Sequence, residues 1–291
     1  MTNNIFHVEP LEEIIDTIFW TAWIPRENPL SVIIVGPSGC GKSMIVCRVK
    51  SIAFCRTDSI SSQGLYDIAK SDEANQHIKF LLIPDFNPTL SRKASTVDAT
   101  LANLLSFTSD GVVRIDDGRR DKQCKHSPVG LITASTPEIY RKHAKKWYNL
   151  GLRRRIIPLF FHYSFATLDS LQNNVKHNKI HTSLPAPIEF QEGIEKMTFQ
   201  CPSIPAEIEN DIQRMSVKLA EYLGKDAYYN DSTKKLEWSI KEFLPLTPQL
   251  ILRNLARANA LKHKREAVSD EDYQFLLRFI EFCDPANPRK L

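Results

Sequence analysis

The clearest periodic signal opens the chain. Over 10–20, Leu11, Ile14, Ile15, Ile18 and Phe19 fall at i, i+3, i+4, i+7 and i+8, which predicts a helix with one apolar stripe. The pattern then changes to short unbroken runs. Ser31-Val32-Ile33-Ile34-Val35, Lys79-Phe80-Leu81-Leu82-Ile83, Val129-Gly130-Leu131-Ile132-Thr133-Ala134 and a run over 156–161 are rich in β-branched, aliphatic and aromatic residues, as strands buried on both faces should be. A shorter strand is expected over 52–55. Between these runs, 42–49, 63–70, 97–107 and 137–150 read as helices, the last with Thr136 as N-cap and Pro137 at its first position. The alternation predicts an α/β fold, a parallel sheet layered by helices.

Near Ser164 the sheet pattern closes. The stretch 169–198 is polar and broken by Asn173-Asn174 and Pro185-Ala186-Pro187, so it reads as a surface connection with one short helix at most. Helical patterns return over 204–223, 248–264 and 270–282, the last opened by Ser269 with Asp272 three places on, a capping-box spacing. The expected division is an α/β domain over 1–168, a connection over 169–200 and a small helical lid domain over 201–291.

Composition narrows the class. With 42% hydrophobic and 25% charged residues in 291, a disordered or fibrous chain is excluded. No apolar run approaches the ~18 residues of a membrane span, and the first residues lack a basic-then-apolar leader. Neither a membrane partner nor secretion is expected. Six scattered cysteines without a CxxC pair suit free thiols in a reducing, cytoplasmic setting. The net charge is +4, but between 111 and 155 twelve Lys or Arg stand against four Asp or Glu. That basic band suits a phosphate backbone, with a merely solvated face as the alternative.

One motif carries chemistry outright. Gly36-Pro37-Ser38-Gly39-Cys40-Gly41-Lys42-Ser43 matches GxxxxGK[ST] and stands between a predicted buried strand and a predicted helix. Such a loop turns successive backbone N–H groups toward the β- and γ-phosphates of a nucleotide, Lys42 adds a cation, and Ser43 offers a hydroxyl to Mg²⁺. A second acidic oxygen should stand at the end of a neighbouring buried strand, and Asp85 follows Phe80-Leu81-Leu82-Ile83-Pro84. A turn-capping Asp is the plainer reading of that residue. Asp117-Gly118 after Val112-Val113-Arg114-Ile115 signals a hairpin with a basic tip. Cys124 and His126 are too few for a zinc site, His162 reads as a core histidine, and Gly-x-Ser-x-Gly does not occur.

Taken together, the loop, the strand-end acid, a later strand ending in small polar residues, an arginine cluster before the last strand and C-terminal helices resemble the AAA+ ATPases over about residues 10 to 283. The hairpin resembles that of the branch with an insertion before sensor 1, as in small replication or mobile-element ATPases. The resemblance implies ATP and Mg²⁺ as ligands, with Lys42, Asp85 and sensor 1 in the site. For sensor 1, Thr133 is preferred to Ser135. It implies an arginine acting in a neighbouring subunit's site, Arg155 before Arg154, and a sensor 2 arginine on the lid, Arg253 before Arg257. Arg119, Arg120, Lys122 and Lys125 would face a nucleic-acid backbone. The chain departs from the family where Phe86 follows Asp85, since a glutamate that polarises water is usual there; either Asp85 holds Mg²⁺ and the base is elsewhere, or Asp85 is in the base position and the metal contact is lost. The implied function is an ATP-hydrolysing homo-oligomer, a ring or helical assembly, that moves, loads onto or remodels nucleic acid or nucleoprotein, with a protein partner supplying target recognition. The alternatives are a protein remodeller of the chaperone type and a slowly hydrolysing ATP-gated assembly switch.

Overall fold

The computed structural model describes residues 8–116, 121–176, 188–190, 194, 197–230 and 235–291. Helix α1 (Glu9–Trp20) buries Leu11, Ile14, Ile15, Ile18 and Phe19, the predicted stripe. Its N-cap, Val8, makes no side-chain bond, so the helix is held by its face. Each such side chain withdrawn from water contributes ~1.5–3 kcal/mol. There follow β1 (Ser31–Val35), α2 (Lys42–Val46), β2 (Val49–Lys50), β3 (Phe54–Arg56), α3 (Ser62–Ser71), β4 (Phe80–Ile83), α4 (Asn87–Leu90) and α5 (Ala94–Asp110). Next come the antiparallel pair β5 (Val112–Asp116) and β6 (Asp121–Lys125), then β7 (Gly130–Ser135), α6 (Pro137–Asn149) and β8 (Ile156–His162). The C-terminal part adds α7 (Phe165–Lys176), β9 (Ile188–Glu189), α8 (Ala206–Gly224), β10 (Lys225–Asn230), β11 (Lys235–Ile240), α9 (Leu246–Lys262), α10 (Asp270–Phe282) and β12 (Arg289–Lys290).

Six strands form a parallel sheet in the order β12-β8-β1-β7-β4-β3. Every residue of β1, β4 and β7 is buried, because helices cover both faces. Val32, Ile34, Leu82 and Ile132 face α1, α2 and the C-terminal helices, whereas Ile33, Val35, Leu81 and Leu131 face α3, α5 and α6. The connection leaving β1 therefore runs over one face and the connection entering β8 over the other. Such a topological switch opens a crevice at the carboxyl ends of the strands.

Two features depart from the sequence pattern. The sheet does not close at Ser164: β12 returns to pair with β8, Leu291 N–H donating to His162 O at 3.0 Å and Ser164 N–H to Leu291 O at 2.9 Å. A pair made by backbone groups alone, at two charged residues, leaves no apolar signature. In the C-terminal part β10 and β11 form an antiparallel pair between α8 and α9. The polar run Asn230-Asp231-Ser232-Thr233 followed by alternating Leu236, Trp238 and Ile240 is the signal that marks it. Helices α8, α9 and α10 pack directly on the sheet, with Leu219, Leu252, Leu255, Phe275 and Phe279 in one core with Val32 and Ile34. Ser269 and Asp272 form the expected capping box. Among the described residues no helix is long and apolar enough to cross a membrane.

Candidate functional site

The loop after β1 is shaped by two glycines in the left-handed region, Gly39 at φ 75° and Gly41 at φ 80°, where other residues are strained. At Gly36 the constraint is space, since a Cβ would lie 2.7 Å from the Phe161 ring on β8. Two bonds fix the loop from outside: Gly36 N–H donates to Ser135 O at 3.4 Å, and the Tyr163 hydroxyl donates to Cys40 O at 2.7 Å. Burial pushes the Tyr163 hydroxyl up, keeping it a proton donor. The N–H groups of Ser38, Gly39 and Gly41 donate to no backbone carbonyl among the described residues. They are the donors an anion would need.

Lys42 folds back over this loop, its Nζ donating to Gly36 O at 2.8 Å and to Pro37 O. Burial pushes the Cys40 thiol up, and Lys42 beside it pulls it only part of the way back. Helix α2 ends at Val46 rather than continuing to 49, as Val49 and Lys50 turn into a short parallel pair with Ile188 and Glu189. A five-residue helix carries a small macrodipole. The loop's own N–H groups and Lys42 therefore dominate the local field.

Ser43 links the loop to β4. Its hydroxyl donates to Pro84 O at 3.2 Å, the carbonyl that precedes Asp85, an exposed residue just past the carboxyl end of that strand. Asp85 Oδ1 accepts from Asn87 N–H at 2.9 Å, the turn-capping bond, while the rest of the carboxylate faces out. Phe86 points the other way, 1% exposed, its ring 6.2 Å from that of Trp147. The chain then enters α4, where Asn87 Oδ1 accepts from Ser135 Oγ at 3.2 Å. Thr133 lies two residues inside this rim. It is 0% exposed, in register with Ile33 and Ile83, and its hydroxyl has no hydrogen-bond partner among the described residues. Of the two sensor candidates, Ser135 is the one at the rim.

The predicted finger and sensor 2 arginines are elsewhere. Arg154 and Arg155 are exposed just before β8, at the opposite end of the sheet, Arg154 lying over the Phe243 ring at 5.8 Å. Arg153 between Leu152 and Arg154 is buried, donating to Lys225 O at 2.6 Å. Arg253 pairs with Glu209 of α8 at 3.3 Å and Arg257 with Glu27 at 3.6 Å. Both sit at the amino end of β1, as Asn254 Nδ2 donates to Asn28 O at 3.1 Å. The structure does not bring them to the loop. His162 is half-buried rather than a core residue, because it closes β8 and lines a cavity of about 240 Å³ beside Pro37.

The predicted hairpin is β5–β6. Arg119 and Arg120 lie outside the described residues, and Lys122 and Lys125 are exposed on β6. Val113 and Cys124 fill its inner side. At its base His126 contacts Asp72 Oδ2 through Nε2 at 2.9 Å and Ser127 O through Nδ1 at 2.7 Å. Both ring nitrogens are thus taken, and among the described residues no group of three His, Cys, Asp or Glu is placed to hold a metal. Burial works against the Asp72 carboxylate, yet bonds from Ile78 N–H and His126 hold it below the ordinary carboxylate range. No protein-family model matches the chain, and no curated protein does.

Proposed function

We propose that this protein binds ATP with Mg²⁺ through the Gly36-to-Ser43 loop and hydrolyses it as a P-loop ATPase of the AAA+ kind. The observation that carries the reading is the bond from Ser43 to Pro84 O, which ties the loop's hydroxyl to the carboxyl end of β4 at the residue before Asp85. Mg²⁺ on a nucleotide needs one or two protein oxygens and takes the rest from phosphate and water, so Ser43 and Asp85 suffice. The bound metal would neutralise charge on the β- and γ-phosphates. Lys42 would exchange its two carbonyl acceptors for phosphate oxygens, and the free loop N–H groups would donate to the same anion.

The separation along β8 supports action between subunits. Seven residues of strand, ~20 Å, lie between Arg155 and the end of β8 that packs on Gly36. A guanidinium at that distance serves another copy's site, not its own. The exposed Lys122 and Lys125, with the basic band around them, favour nucleic acid as the substrate of the resulting homo-oligomer. A slowly hydrolysing assembly switch is the second reading, favoured by Phe86 in the core where a carboxylate base would be expected.

The test is titration of a fluorescent ATP analogue with Mg²⁺, read beside mass photometry. Wild-type protein is expected to bind and assemble, and Lys42→Ala to bind at least about tenfold more weakly. Equal binding by both would refute the site.

A further inference from the structure

We infer that Asn87 orients the attacking water in the hydrolysis proposed above, so that this site works with a carboxamide in place of a carboxylate. The inference rests on that proposal and concerns how the missing base is replaced. Phe86 cannot serve, since it is 1% exposed and packed toward Trp147. The polar groups that the structure links at the carboxyl rim of β4 and β7 are Asp85, Asn87 and Ser135. Asp85 follows the Pro84 carbonyl that holds Ser43 and is assigned to the metal in the proposal above. Ser135 is 1% exposed and donates to Asn87 Oδ1 at 3.2 Å, the nearer of its two acceptors, Thr136 O lying at 3.5 Å. That bond fixes the Asn87 amide: Oδ1 accepts from Ser135 at 3.2 Å while the backbone N–H is held by Asp85. Oδ1 keeps a second lone pair for a water proton and Nδ2 two donors for the water or a phosphate oxygen.

A carboxamide positions water without taking its proton. In the step this implies, the water oxygen bonds to the γ-phosphorus as the bond to the β,γ-bridging oxygen breaks, its electron pair leaving on ADP. The water's protons end on inorganic phosphate and solvent, none on Asn87. Charged groups near this rim include Asp85 just after β4, Arg56 at the end of β3 and Asp58 just after it, Lys42 on α2, and Glu138 and Arg141 on the first turns of α6. Glu138 is held below the usual carboxylate range by its own backbone N–H and Thr136, then by Arg141 and Lys42. It is the rival base.

The experiment compares wild type, Asn87→Ala, Asn87→Asp and Glu138→Gln for ATP affinity by fluorescent-analogue titration, for melting temperature and for steady-state turnover. Asn87→Ala is expected to lower kcat about 10–100-fold with affinity and melting temperature close to wild type. Asn87→Asp, nearly isosteric and still able to accept from a water, is expected to keep more turnover than Asn87→Ala, with affinity retained. Glu138→Gln is expected to keep at least half of wild-type turnover. Unchanged kcat in Asn87→Ala, an equal loss of affinity, an Asn87→Asp variant no more active than Asn87→Ala, or collapse of turnover in Glu138→Gln each overturns the inference. A wild type that binds ATP without hydrolysing it does so too. A wild type that binds no ATP overturns the phosphate site itself, and this role with it.

Discussion

At the carboxyl rim of the sheet the polar groups are tied to one another within the chain, Ser43 to Pro84, Asp85 to Asn87 and Asn87 to Ser135. At the amino rim Arg154 and Arg155 face solvent beside a shallow cavity shared with Asn254, Thr247 and Leu250, and Leu244, Leu246 and Leu250 are all more than half exposed. The first rim is preorganised by its own hydrogen bonds, so a ligand arriving there meets fixed donors. The second is a set of cations and leucines with room around them. The contrast is the one expected if a working site needs both rims, one from each of two copies.

Substitution at the open rim should cost the most turnover. Arg155→Ala is expected to lower turnover about 10³-fold or more while ATP binding is unchanged. Mixing it with Lys42→Ala should restore part of the activity, because each supplies the rim the other lacks. No recovery on mixing would place both functions in one chain. At the tied rim, Phe86→Ala should cost ~3–5 kcal/mol by leaving a cavity against Trp147, read as a lowered melting temperature. A change below ~1 kcal/mol would mean that the residue after Asp85 is free to be something else.

The hairpin is anchored like the tied rim at its base and open like the other at its exposed lysines. Asp72→Ala should cost ~3 kcal/mol by leaving His126 without its buried partner. Because the folded-state pKa of Asp72 is depressed, its contribution is present above the ordinary value of 3.8 and is lost as pH falls through the lower folded value. Wild type should therefore lose stability on acidification below about pH 4 more steeply than Asp72→Asn, followed by thermal melting. The smallest effect is expected from neutralising Arg119, Arg120, Lys122 and Lys125 together. Binding to single-stranded DNA should weaken, and the slope of log affinity against log salt should shrink by ~0.7 for each phosphate left without its cation. Identical salt slopes would remove the hairpin from any nucleic-acid interface.

Much of the scaffold was legible because parallel strands covered on both faces read as unbroken apolar runs. β1, β4, β7 and β8 begin and end within one or two residues of the pattern. The loop was legible because its motif is local. What escaped depends on contacts between distant positions. Hydrophobic alternation puts Thr133 and Ser135 on one face but does not say which reaches the rim. That is settled by where β7 stops pairing with β1, at Ser135 opposite Val35. The Asn87–Ser135 and Asp72–His126 links join residues 48 and 54 apart, which no spacing rule could have found. Helix α2 ran short because its last predicted turn was taken by pairing with a strand some 140 positions later.

The sheet's two outer strands, β3 and β12, are three and two residues long, and Arg289 and Lys290 are exposed on β12. So short an edge, flanked by charge, offers too few unpaired backbone groups to seed intermolecular strand addition. Crowded copies of this protein are thereby steered away from fibrous aggregation.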